Sequence, residues 1–311
     1  MIPALVLFGY AIAAAWCLPP LLTLLTRRGV SPRLGLAAWL MAMASALAAA
    51  AAGLQSSLRT VAADWPTLTA ALCRSVAGTA CTPEVYRSAF YSAGVAALAA
   101  VSTAVAVVAL WRYGRRVHRA RRQTSAHADA AHITGRVLPG TGAVVLDDPR
   151  PAAYCVAGHP AAIVVTSGAL AVLDQPQLAA VLAHERAHLA HRHHLLAMLT
   201  GGLAAAFPGV PLFARGAAEV ARLTEMAADD AAARGSGRPT VVAALLALAT
   251  GTVIPAAALG IGLSAAAHAV PARVDRLLHP PRPAVSAAFA LALALVVTVL
   301  AIAPPAFVTM S

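Results

Sequence analysis

Four stretches of almost unbroken apolar residues dominate the chain: roughly Pro3 to Leu25, Leu34 to Leu54, Ala89 to Trp111 and Ala284 to Val308. Each is long enough to cross a bilayer, which takes about 20 helical residues. Between the third and the fourth the pattern changes. Short runs rich in valine and isoleucine, Ala143 to Leu146 and Ala161 to Thr166, are set off by Asp147-Asp148-Pro149 and Gly158-His159-Pro160. They read as strands of a small sheet, with Tyr154-Cys155-Val156 as a third. Asp174-Gln175-Pro176-Gln177 then opens a helix, with Asp174 as N-cap, proline in the first turn and Gln177 placed to reach back. A second helix is expected from about Ala217 to Arg234, stopped by Gly235-Ser236-Gly237.

Composition turns these stretches into membrane spans. A chain of 311 residues that is 60% hydrophobic and 11% charged has more apolar surface than a soluble core can hide. The first stretch has no basic leader and no clear cleavage site, so it reads as a retained span. The arginines then set orientation. They gather at Arg27, Arg28 and Arg33, and again at Arg112, Arg115, Arg116, Arg119, Arg121 and Arg122, and these segments are expected to face the cytoplasm. Residues 1–111 thus form three transmembrane helices with an outer loop at 55–88. Residues 112–282 form a cytoplasmic domain, and 283–311 a last transmembrane helix. Cys73 and Cys81 both fall in the outer loop, where an oxidising environment would let them pair, so they are a candidate disulfide. The net charge of +11 lies mainly next to the spans, where topology and anionic lipid account for it. No base-reading module is visible, and no direct nucleic-acid binding is expected.

The chemistry lies in His184-Glu185-Arg186-Ala187-His188. Helical side chains four apart share a face, so His184 and His188 can hold one metal. Glu185 lies about 100° round from His184, beside the metal and within reach of its water, the position of a general base. The neighbouring His191, His193 and His194 are a reminder that histidine-rich helices produce chance matches. A catalytic zinc takes a third protein ligand, and Glu225 is the candidate. Asp229, one turn further on, is placed to hydrogen-bond the outer nitrogen of a ligand histidine; the alternative is a solvated acidic face. His194 stands six residues after His188, but in a continuous helix it points about 240° away. His191 falls nearer the ligand face, as an alternative ligand or a support for one, with a polar helix residue the favoured reading.

Two more apolar regions depend on this site. If Glu225 shares a metal with His184 and His188, both ends of the region Leu195 to Phe213 lie on one side of the membrane. It is then a buried helix or a re-entrant hairpin. Making Val241 to Ala267 a span would put Arg273, Arg276 and Arg282 outside, so it reads as an inner helix.

Taken together, these residues resemble the membrane metallopeptidases of the BlaR/MecR type, related in motif to the HtpX and Ste24 proteases. The resemblance rests on Val181 to His188, on Glu225 to Asp229, on Ile163 to Gly168, and on Arg273-Val274-Asp275-Arg276-Leu277 before the last span. It implies a mainly α membrane protein of about four transmembrane helices, with an inserted α+β gluzincin-type zinc protease domain facing the cytoplasm. It assigns one Zn2+ per chain to His184, His188 and Glu225, with Glu185 as base and Asp229 as partner of a ligand histidine. The antibiotic receptors of this type carry a penicillin-binding sensor domain after the last span. None is seen in these 311 residues, so a signal is expected through the outer loop, the membrane or another protein.

The expected reaction is hydrolysis of a protein or peptide substrate at a plasma membrane. By the resemblance, that substrate is a winged-helix repressor; quality control of membrane proteins is the enzyme alternative. Substrate backbone is expected to add to an edge strand, either Tyr154 to Val156 or Ala161 to Thr166. His268 and Arg273 are candidate oxyanion donors by position alone, with lipid contact the competing reading of Arg273. A non-proteolytic sensor built round structural zinc is the rival from another class. Such sites are usually closed by four Cys or His ligands, and Cys155 is the single cysteine of the inner segment.

Overall fold

The computed structural model describes residues 2–76, 83–158, 160–249, 270–280 and 282–309. Long helices frame it: α1 (Ile2–Thr26), α2 (Pro32–Val76) and α3 (Pro83–Thr134). Within these and the last helix, Pro3–Thr26, Pro32–Pro66, Ala89–Ala126 and Pro283–Ile302 are long and apolar enough to cross a membrane. Their outer faces leave large side chains uncovered, Leu110 at 70% and Leu291 at 74% exposure, as lipid-facing surfaces do.

The segment expected to be a loop, 55–88, is largely helical. α2 runs on to Val76 and α3 begins at Pro83. Residues 55–76 hold no glycine, and Pro66 lies inside α2 without ending it. A helix of 45 residues is about 68 Å long, more than twice the hydrocarbon thickness. α2 and α3 therefore project beyond the bilayer as a helical pair, joined where Ser92 Oγ donates to Asp64 at 3.0 Å. The candidate pairing of Cys73 with Cys81 lies outside the described residues. The boundary drawn at 111–112 also falls inside a helix. α3 continues through it, and the Arg115 guanidinium stacks over the Trp111 ring at 4.5 Å.

After α3 comes a four-stranded sheet of β1 (Arg136–Leu138), β2 (Ala143–Leu146), β3 (Ala153–Val156) and β4 (Ala162–Thr166), in the order β1-β2-β4-β3. β4 is parallel to β2 and antiparallel to β3, so both its edges are taken and its residues are all buried. Of the two strands considered for substrate pairing, β3 is the one that stands at the end of the sheet order among the described residues. Thr166 ends β4 and caps α4 (Ser167–Val172), its hydroxyl accepting from Ala169 N–H and donating to Arg150 C=O. Gly168 sits against the Pro149 carbonyl, where a Cβ would collide with backbone.

α5 (Gln175–Ala190) opens on the expected capping box: Asp174 accepts from Gln177 N–H at 2.8 Å, and Gln177 accepts from Asp174 N–H at 3.2 Å. α6 (His193–Ala206) and α7 (Pro211–Ser236) then form a hairpin that turns at Phe207–Val210. Leu212, Phe213, Val220 and Leu223 of α7 share one buried cluster with Leu22 of α1, Trp39 and Met43 of α2, and Leu293 of the last helix. Met43 lies 11 residues into α2, about 16 Å along it, so the hairpin reaches well down the spans. Leu195 to Phe213 is thus helix, turn and helix start, a hairpin and not one continuous helix. α8 (Arg238–Ala249) packs on α5, and the rest of the region to Ala267 lies outside the described residues. α9 (Val270–Leu278) and α10 (Pro283–Thr309) complete the chain.

Candidate metal centre

α5 and α7 lie against each other, and their facing sides meet where the motif predicts. His184 Nε2 and His188 Nε2 are 3.1 Å apart. Glu225 Oε2 is 3.4 Å from the first, and Glu225 Oε1 is 3.5 Å from the second. Tetrahedral zinc with bonds of about 2.0–2.1 Å holds its ligand atoms about 3.3–3.4 Å apart, close to the spacing of the two ring nitrogens and of each nitrogen from its nearer Glu225 oxygen. One ligand atom from each residue lies within 4.8 Å of the others, and this is the group among the described residues with that property.

Outer hydrogen bonds fix both imidazoles. His184 Nδ1 donates to Asp229 Oδ1 at 3.1 Å, which leaves Nε2 toward Glu225. Asp229 is fully buried. Arg273 of α9 holds it in a fork, Nε to Oδ2 at 2.8 Å and Nη2 to Oδ1 at 2.6 Å, while Nη1 pairs with Glu225 at 3.0 Å. Arg273 is 6% exposed and spends three of its five N–H groups on the site's carboxylates, so the lipid-contact reading of this residue does not hold. The other proposed oxyanion donor, His268, lies outside the described residues.

His193 is the site residue that the sequence reading missed. Its Nδ1 is 3.0 Å from His188 Nδ1, on the side of the ring away from Glu225. In a helix running on from His188 it would sit about 140° off the ligand face. Instead α5 ends at His191, Arg192 takes a left-handed conformation at φ 53°, and His193 starts a new helix that turns it back. The local signal was weak, since a positive φ at arginine has no sequence mark. His191 is exposed and pairs with Arg33 of α2 at 3.3 Å, and His194 is exposed too.

The electrostatics divide the donors. Burial lowers His188 and His193, both to about 4, so each ring is neutral at pH 7, the form that ligates. Burial also opposes charge on His184, yet bonds to Asp229 and Glu225 outweigh it and raise the ring to about 10. Desolvation would raise Glu225 and Asp229. For Glu225 the His184 bond and the Arg273 charge win, for Asp229 the Arg273 and His184 bonds, and both stay below the ordinary carboxylate range. Without an ion, the proton on His184 and the Arg273 charge balance the two carboxylates; a metal cation at His184, His188 and Glu225 would take the place of that proton.

Glu185 stands apart from them. It is 9% exposed, and burial with the nearby Glu225 charge lifts it to about 7 despite the attraction of His184. The thiol and the backbone N–H of Cys155 on β3 lie on its other side and favour the ionised carboxylate. Burial and Glu185 together push the Cys155 thiol well up, so it stays protonated. Glu185 therefore lies between the candidate ligands and β3.

The sequence profile of peptidase family M48 matches residues 115–279. A protease HtpX homologue of Acidiphilium cryptum is 42% identical over 71 residues, 22% of this chain and 25% of that protein. One from Ralstonia nicotianae is 34% identical over 85 residues, 26% of this chain and 30% of its own length. A third, from Pelotomaculum thermopropionicum, is 40% identical over 74 residues, covering 23% and 25%. The chain thus spans 25% to 30% of the length of these curated relatives. No solved structure matches.

Proposed function

The chain belongs to peptidase family M48, and from that premise we propose that it is a membrane-embedded, zinc-dependent endopeptidase whose site faces the cytoplasm. The observation that carries this reading is the convergence of His184, His188 and Glu225 at 3.1–3.5 Å beside a buried Glu185. The orientation rests on the arginines, which gather at the end of the spans where the sheet lies.

A zinc ion held by these three residues would polarise the scissile carbonyl and lower the pKa of its water from 15.7 to about 7. Glu185 accepts the water's proton and delivers it to the leaving nitrogen. Asp229 and His193 each bond the outer nitrogen of one imidazole, which keeps the rings from turning. The substrate backbone adds alongside β3 at the end of the sheet, next to Glu185.

The preferred substrates are membrane proteins. Two facts support them: the relatives are protease HtpX homologues, and the α6–α7 hairpin sets the site beside the spans. The BlaR/MecR-type resemblance points instead to a winged-helix repressor. The test compares new protein N-termini in cells carrying the wild-type chain or Glu185→Gln, with and without envelope stress. Cleavages lost in the variant from membrane proteins support the reading; loss confined to a soluble repressor moves it to the regulatory type. Identical profiles under every condition overturn the protease.

A further inference from the structure

A cleft of about 490 Å³ opens away from the metal centre, at the membrane end of three spans. It is lined by Gly29 in the turn between α1 and α2, by Ser286 in the first turn of α10, and by Asp230, Arg234, Arg238 and Arg276. Its volume lies within the range of about 300–1,000 Å³ usual for small-molecule sites.

The charges there do not balance. Arg276 is satisfied, with Nη2 donating to Asp230 at 2.6 Å and Nε to Gly29 C=O at 2.8 Å. Arg234 and Arg238 form no ion pair among the described residues, and both are exposed. Arg234 lies in the last turn of α7, where a cation suits the helix dipole. Arg238 opens α8, where it does not, and no acidic residue in that first turn offsets it. Two exposed arginines line one cleft, one of them against a helix dipole, and give it a positive potential that favours an anion.

We infer that this cleft binds a phosphate group, presented by the headgroup of an anionic phospholipid. Guanidinium groups match phosphate oxygens in planar, two-pronged fashion. The height is right as well: Gly29 is three residues past the end of α1 and Ser286 the fourth residue of α10, the level at which a bilayer holds its phosphates. An anion held by Arg234 and Arg238 ties the α7–α8 junction to the turn between α1 and α2.

The experiment uses full-length Glu185→Gln protein in detergent, so that no turnover is needed and the result stands apart from the protease reading. Native mass spectrometry measures retention of dioleoyl phosphatidylglycerol against dioleoyl phosphatidylcholine. A second arm follows thermal stability in sodium phosphate and in sodium chloride at equal ionic strength. Phosphatidylglycerol is expected to bind preferentially, and Arg234→Gln/Arg238→Gln to weaken it about 30-fold. Arg136→Gln, a charge loss on β1, should leave retention unchanged. Stabilisation by inorganic phosphate that the double variant abolishes supports the phosphate site and names the free ion as its source. Equal retention of both lipids together with no phosphate stabilisation, or a double variant indistinguishable from the parent in both arms, overturns the inference.

Discussion

Asp229→Asn tests how the metal centre is held. The substitution keeps shape and removes one charge at a fully buried position. Two costs follow. Breaking a buried ion pair by neutralising one partner costs about 3–5 kcal/mol, and because Glu225 still faces Arg273 at 3.0 Å the lower end applies. Separately, the bond from His184 Nδ1 weakens, since a neutral amide oxygen replaces a carboxylate. Loss of such a partner typically lowers metal affinity 10- to 100-fold, about 1.4–2.7 kcal/mol. Arg273→Gln separates the two: it removes that ion pair and the one to Glu225 but leaves the 3.1 Å contact between Asp229 and His184. Both variants should melt at reduced temperatures in chelator, Arg273→Gln at the lower one because it loses both pairs, while zinc affinity, read by competition against a chromophoric chelator, falls more for Asp229→Asn. A folded Asp229→Asn protein that binds zinc within twofold of wild type, or a larger loss in Arg273→Gln, would refute the reasoning.

Other expectations are briefer. Glu185→Gln should retain zinc at wild-type stoichiometry, measured by elemental analysis, while cleavage of a peptide library drops by at least 100-fold. His193→Ala should lower zinc affinity about tenfold, whereas His194→Ala, at an exposed position, should leave it unchanged in the same titration. Gly216→Val should place its side chain against Met43 and Trp39, cost about 1–3 kcal/mol, and lower the melting temperature in detergent; an unchanged melt would mean that the hairpin is not packed against α2 as described.

What could be read from the chain was whatever depends on local spacing. Asp174 and Gln177 mark a helix start because a capping box is fixed by three residues of backbone, and the box is there. His184 and His188 stand together because they are one turn apart, and Glu225 and Asp229 share a face for the same reason. Three of the four strands carried a β-branched signature. β1 did not, having three residues with two exposed. The projecting ends of α2 and α3 were missed because polar residues past a span look like loop when hydropathy is the guide, although nothing there stops a helix. His193 was misplaced by one left-handed arginine. The pairing of Arg273 with Asp229 joins residues 44 apart across a segment of no legible pattern, so only tertiary packing reveals it.

α7 explains why such a site belongs beside a membrane. Its first half is cemented among α1, α2 and α10 through Leu212, Phe213, Val220 and Leu223. Its second half carries Glu225 and Asp229 to α5. The reach from Gly216 to Glu225 is nine residues of one unbroken helix, about 14 Å, so the third donor is placed by packing inside the spans. α9 fastens the far end, with Arg273 and Arg276 one turn apart gripping Asp229 and Asp230 side by side. The first of these arginines acts on the metal centre and the second on the basic cleft. Both arginines sit on one nine-residue helix, so the position of α9 sets the two contacts together.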